Sequence, residues 1–192
     1  MLQLASKSPR RRELLDQIGV PYKVVSVDVP ELRHAHESPQ AYVSRLALDK
    51  SRAGVRAFPG APTLGADTIV CKDDQVLEKP KDFGDFKNMM RLLSGGSHVV
   101  ITSIAMSDGE QECLTTASTQ VRFRDIRDEE IERYWLTGEP KDKAGGYAIQ
   151  GFAAVFVSEI HGSYSNVVGL PIETLSPLLA EFDIPIWEAV KK

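Results

Sequence analysis

Three consecutive arginines, Arg10, Arg11 and Arg12, follow Ser8-Pro9 at what reads as the start of a helix. Ser8 suits the N-cap and Pro9 the first helical position. A capping box would place Glu or Gln at position 11, and Arg11 stands there instead. A helix N-terminus already carries about +0.5 elementary charge, so each cation there costs a few tenths to ~1 kcal/mol. A helix that serves only the fold avoids this arrangement. A helix end that receives a polyanion uses it, because backbone N–H groups and arginine forks converge on phosphate oxygens. The alternative is a solvated basic patch, or arginines paired to acidic neighbours.

Isolated carboxylates form the second element. Asp67 interrupts the apolar run from Leu64 to Val70. A carboxylate in a buried strand is costly unless it is paired, metal-bound or open to a cleft; capping a neighbouring helix is the structural alternative. Gly65 removes a side chain two residues away and would let a ligand approach. Glu31 follows an apolar strand and either faces the same cleft or is an ordinary loop acid. Lys50 and Lys79 form the third element, the latter restricted to extended backbone by Pro80. Each alone reads as solvated; their meaning depends on convergence with the arginines on one anion. Finally, the stretch Asp142 to Gly151 contains Lys143, three glycines and Gln150. It either brings backbone and the Gln150 amide close to a base or phosphate, or is a plain turn-rich connection.

Other chemistries find little support. No GxxxxGK[ST], GxGxxG or GxSxG motif is present. His34 and His36 have no Cys or carboxylate cluster to complete a metal site. Cys71 and Cys113 fit no metal or redox spacing and are expected to be reduced thiols. A net charge of −4 argues against non-specific nucleic-acid binding. No signal peptide and no run of 18 apolar residues is seen, which points to the cytoplasm and away from a membrane.

The elements that must position these residues alternate between strand and helix. Strands are expected at Leu2–Ala5, Tyr22–Val27, Thr63–Cys71 with a short return strand to Leu77, Val99–Met106, Glu112–Phe123 and Ala153–Ile160. Helices are expected at Pro9–Ile18, from Pro39 to about Arg56, from Asp82 to Leu93, Asp128–Leu136 and Ile172–Glu181. At 42% hydrophobic and 26% charged over 192 residues, the chain can bury one sizeable core. The pattern predicts a single α/β domain, residues 1–192, with a mixed twisted sheet.

Together these segments resemble the Maf family of nucleoside triphosphate pyrophosphatases. The resemblance rests on Ser6-x-Ser8-Pro9-Arg10-Arg11, Glu31, Lys50 after Arg45-Leu46-Ala47, Gly65-Ala66-Asp67-Thr68, Lys79-Pro80, Leu93-Ser94-Gly95 with His98, and Asp142-Lys143-Ala144-Gly145. It covers almost the whole chain; one departure is Pro30, where the family often carries an acid before Glu31. It implies an inosine-triphosphatase-like α/β fold with flanking helices and two lobes around a cleft, and usually a homodimer. Arg11, Thr68 and Gln150 match the branch acting on dTTP and UTP rather than that acting on N7-methyl-GTP.

The implied reaction is hydrolysis between the α and β phosphates, a house-cleaning activity that gives monophosphate and pyrophosphate. It implies a divalent cation, Mg²⁺ or Mn²⁺, at Asp67 and Glu31. Asp67 would be the general base, with Lys50, Lys79 and the arginines neutralising the leaving pyrophosphate. Ser6, Ser8, Arg10, Arg11, Thr68, Lys143 and Gln150 would bind substrate, Gln150 at the base edge. Two rivals from other classes are a non-catalytic nucleotide-binding regulator and a nucleic-acid module built on the arginines.

Overall fold

The computed structural model describes residues 1–188. Its strands are β1 (Leu2–Leu4), β2 (Tyr22–Val24), β3 (Thr63–Lys72), β4 (Gln75–Leu77), β5 (Ser97–Ser107), β6 (Glu112–Phe123) and β7 (Val157–His161). Its α-helices are α1 (Pro9–Gln17), α2 (Pro39–Ala57), α3 (Phe83–Leu93), α4 (Asp128–Leu136), α5 (Tyr164–Val168) and α6 (Ile172–Glu181). The strands form one sheet in the order β2-β1-β3-β5-β6-β7, with β4 on β3. β1 runs parallel to β2 and β3, whereas β3–β4 and β6–β7 are antiparallel. The mixed α/β sheet expected from the sequence is thus present.

The chain divides into two compact units. The first comprises Met1–Asp67, Thr102–Ala117 and the chain from Gly169 onward. Here α2 begins where Ser38 Oγ accepts the Ala41 N–H at 3.1 Å and Pro39 sets the first turn. Its residues Val43, Leu46, Ala47, Ser51 and Gly54 recur at helical spacing and are buried. Close packing of α2 on β3 requires glycine at two places. A Cβ on Gly54 would meet Thr63 Cγ2 at 2.5 Å, and one on Gly65 would meet Ala47 O at 2.2 Å. The space at Gly65 is therefore filled by helix backbone. The expectation that it admits a ligand is corrected.

The second unit comprises Thr68–Ile101 and Ser118–Val168. Its core is aromatic: Phe86 packs on Tyr134 and Trp135, and Phe123 meets His98, Tyr147 and Phe156 in tilted or edge-on pairs. Several boundaries differ from expectation, and β2 ends at Val24 rather than Val27. Residues Phe152–Phe156 form a 3-10 turn, and the strand there runs Val157–His161. The short helix α5 was not foreseen; Ser163 Oγ accepts the Asn166 N–H at its start. Cys71 and Cys113 are free thiols. No helix of the described residues is long and apolar enough to cross a membrane.

Candidate active site

Asp67 lies at the end of the apolar half of β3, and Lys50 lies on α2, one turn beyond Leu46. The close contact at Gly65 draws that helix onto the strand, and the two side chains meet: Lys50 Nζ is 2.6 Å from Asp67 Oδ1. The same nitrogen is 2.5 Å from Glu31 Oε1. The Lys50 and Asp67 side chains are 12% and 13% exposed, whereas Glu31, at 47%, opens to solvent. Two carboxylates thus share one ammonium at the edge of the core.

Burial raises the Asp67 pKa above the usual carboxylate range. Lys50 and Arg11 oppose that shift, and Glu31 reinforces it. The result is a carboxylate that is mostly removed from water yet held near cations, which suits a proton acceptor.

Glu31 sits on the polar stretch between β2 and α2, and that stretch is tied down. Tyr42 Oη donates to the Glu31 carbonyl at 3.1 Å. The Arg45 guanidinium forks onto Glu37, at 2.7 and 2.9 Å, and also donates to the Leu32 carbonyl at 2.9 Å. The pairing with Arg45 holds the Glu37 carboxyl down to about 2. Arg45 and Glu37 were not assigned roles from sequence. Their spacing, Glu37 just before the N-cap and Arg45 two turns into the helix, was the available signal.

At the start of α1, Ser8 occupies the cap position with extended backbone, but its side chain makes no capping hydrogen bond. Its N–H instead donates to Ser6 Oγ at 3.2 Å. The capping expectation is met in position and not in bonding. The arginines also divide. Arg12 is exposed and Arg10 half-buried, but Arg11 is buried, with Nε donating to the Gly169 carbonyl at 2.8 Å and Nη1 to Ser6 Oγ at 3.0 Å. Burial lowers the Arg11 pKa and Asp67 is the main group opposing this, so the two charges are neighbours in field. Ser6, Arg11, Glu31, Lys50 and Asp67 therefore form one linked set within the first unit.

These motifs can be compared with known proteins. The Maf-like protein family matches residues 1–182. The chain belongs to the Maf family. Among relatives of this Maf protein, the dTTP/UTP pyrophosphatase of Saccharophagus degradans is 50% identical over 191 residues, spanning 97% of this chain and 91% of the relative. That of Aliivibrio fischeri is 50% identical over 184 residues, spanning 93% and 96%. A solved structure of the Ham1 protein of Staphylococcus aureus is similar in fold, with a TM-score of 0.55 at 12% identity over 94% of this chain and 98% of that one.

The other candidate residues of this Maf protein belong to the second unit. Thr68 follows Asp67 on β3 and is half-buried. Lys79 is exposed just past β4. Lys143 Nζ bonds its neighbour Asp142 Oδ1 at 2.5 Å, and Gln150 is exposed. Gly145 and Gly146 adopt left-handed backbone (φ 66° and 70°) and press against Val70 and Phe86. They turn toward the core of their unit.

Among the described residues, no group of three or more His, Cys, Asp or Glu side chains gathers for a metal. Glu31 and Asp67 do converge on one cation, the Lys50 ammonium. Two carboxylates fit a hard ion such as Mg²⁺, which keeps water and phosphate ligands of its own. They do not make a closed cage.

Proposed function

We propose that this protein is a dTTP/UTP pyrophosphatase, cleaving the α–β phosphoanhydride to give the nucleoside monophosphate and pyrophosphate. The observation that carries the reading is the Glu31–Lys50–Asp67 convergence, in a chain half identical to relatives bearing that name. Asp67 accepts the proton of the attacking water at its carboxylate. The Lys50 ammonium keeps that carboxylate ionised against the effect of burial and, with Lys79 and Arg10, offsets charge on the departing pyrophosphate. Glu31 and Asp67 would hold Mg²⁺ or Mn²⁺, which when bound supplies charge neutralisation at the phosphates.

Ser6, Ser8 and Lys143 are assigned to phosphate. Arg11 and Thr68 are assigned to nucleotide selection, and Gln150 to the base edge, where its amide can pair with a pyrimidine's donor and acceptor. Modified uridine triphosphates, action as a homodimer and a cytoplasmic location belong to the same reading.

The test is a pyrophosphate-release screen over the common and methylated nucleoside triphosphates, with Mg²⁺ and with Mn²⁺. Release from dTTP and UTP and not from N7-methyl-GTP is expected. No release from any triphosphate would overturn the proposal.

A further inference from the structure

The stretch from Glu139 to Ala153 is a loop closed by its own first residue. The Glu139 carboxylate accepts the N–H of Phe152 at 3.0 Å on Oε2 and that of Ala153 at 3.3 Å on Oε1. It also accepts the Tyr134 hydroxyl from α4 at 2.7 Å. Burial and this bond both raise the Tyr134 pKa, so its hydroxyl keeps the proton it donates. The carboxylate fills the place where Gly151 would carry a side chain: a Cβ there would lie 2.0 Å from Oε2 and 2.6 Å from Cδ. The Gly151 backbone has φ −105°, outside the left-handed region that favours glycine, and the nearest atoms its Cβ would meet all belong to Glu139.

A second anchor lies inside the loop. Tyr147 is buried, and its hydroxyl shares a hydrogen bond of 2.7 Å with His98 Nε2. Gln150 is exposed between the two anchors, three residues after Tyr147 and two before Phe152. Nothing in the proposed chemistry uses Glu139, yet three donors converge on it. A loop this long would otherwise sample many conformations, and fixing it beforehand removes an ordering cost from binding.

We infer that Glu139 is a positioning residue for base selection: its clasp on the Phe152 and Ala153 amides, over Gly151, presents Gln150 in one conformation to a pyrimidine edge. This inference rests on the assignment of Gln150 to the base. Removing the clasp loosens recognition and leaves the bond-breaking groups as they are.

The experiment compares wild type, Glu139→Ala, Glu139→Gln, Gly151→Ala and the Glu139→Ala/Gly151→Ala double variant. Steady-state kinetics with UTP, dTTP and CTP are read beside amide hydrogen exchange over residues 142–153 without nucleotide. In Glu139→Ala the Phe152 and Ala153 amides exchange faster. KM for UTP rises about tenfold while kcat stays within about threefold, and the preference for UTP over CTP falls. Glu139→Gln, which keeps one carbonyl acceptor, recovers part of that preference. Gly151→Ala resembles Glu139→Ala, and adding it to Glu139→Ala costs nothing further, because its clash partner has gone. Faster exchange with unchanged KM and preference would overturn the inference. So would a Gly151→Ala penalty that persists without Glu139. A wild type that cleaves UTP and CTP alike would overturn the role of Gln150 and this role with it, and the exchange data would show whether the clasp itself had also failed.

Discussion

Lys50 Nζ and Asp67 Oδ1 lie 2.6 Å apart, across the contact between α2 and β3. Burial pushes the Asp67 pKa up and Lys50 is the strongest force pulling it back. A base acts in its ionised form, so its rate contribution fades as pH falls through its pKa. Substituting Lys50→Met removes an opposite charge at contact distance, worth about 1–3 pH units. We expect the acid limb of the kcat/KM profile to move upward by at least about one unit, alongside a loss of rate. Asp67→Asn should keep nucleotide binding and lose about 10² to 10⁴ in kcat at every pH. A Lys50→Met enzyme with an unmoved acid limb would detach Lys50 from the base.

Gly65 sets that separation. A Cβ there meets Ala47 O at 2.2 Å and Ser51 N at 2.5 Å, both helix backbone, which cannot rotate away as a side chain tip would. Gly65→Ala must therefore shift α2 off β3, at a cost of about 1–3 kcal/mol. Because Lys50 follows Ala47 by less than one turn, the shift also parts it from Asp67. The expected outcome is a lower urea midpoint together with an acid limb displaced in the same direction as in Lys50→Met. Lower stability with an unchanged pH profile would show that the helix moves as a unit without disturbing the pair.

The contrast between these residues and the loop explains what could be read in advance. Asp67 was visible because a carboxylate in an apolar strand is a local anomaly, and α2 because Ser38-Pro39 and the spacing of Val43, Leu46 and Ala47 are local signals. Gly65 announced a close approach but not of what: only the fold places Ala47 and Ser51 over it. The segment Ala153–Ile160 looked like a strand, but its first half belongs to the run Phe152–Phe156. That run is a 3-10 turn whose first two amides are taken by Glu139, thirteen and fourteen residues earlier. Neither end of that bond marks the other in the sequence. The same holds for Arg11, whose partner carbonyl at Gly169 lies 158 residues away.

His98 offers a test of the second unit by itself. Its ring is 2% exposed, lies edge-on to Phe123 and Tyr147, and carries a buried Nδ1 with no hydrogen-bond partner among the described residues. Burial, with a smaller push from Lys72, lowers its pKa to about 4. The unfolded chain takes up this proton near pH 6.5 and the folded one does not. Between those values the unfolded state binds more protons, so stability falls as pH falls. The slope approaches about 1.4 kcal/mol per pH unit at its steepest. Glu37 and Glu130, both held down to about 2, add their own loss below about pH 4.5, while Asp67, whose pKa burial raises, pulls the other way. The His98 contribution is therefore read as the difference between wild type and the His98 variants over the window pH 4.5 to 6.5. Urea unfolding of wild type, His98→Gln and His98→Phe across that window should show both variants with a flatter dependence on pH, whatever stability each loses at pH 7. His98→Phe should lose more at pH 7, since it leaves the buried Tyr147 hydroxyl without its partner, whereas glutamine can still accept from it. Parallel curves for all three proteins would mean that His98 gains its proton in the folded state as readily as in the unfolded one.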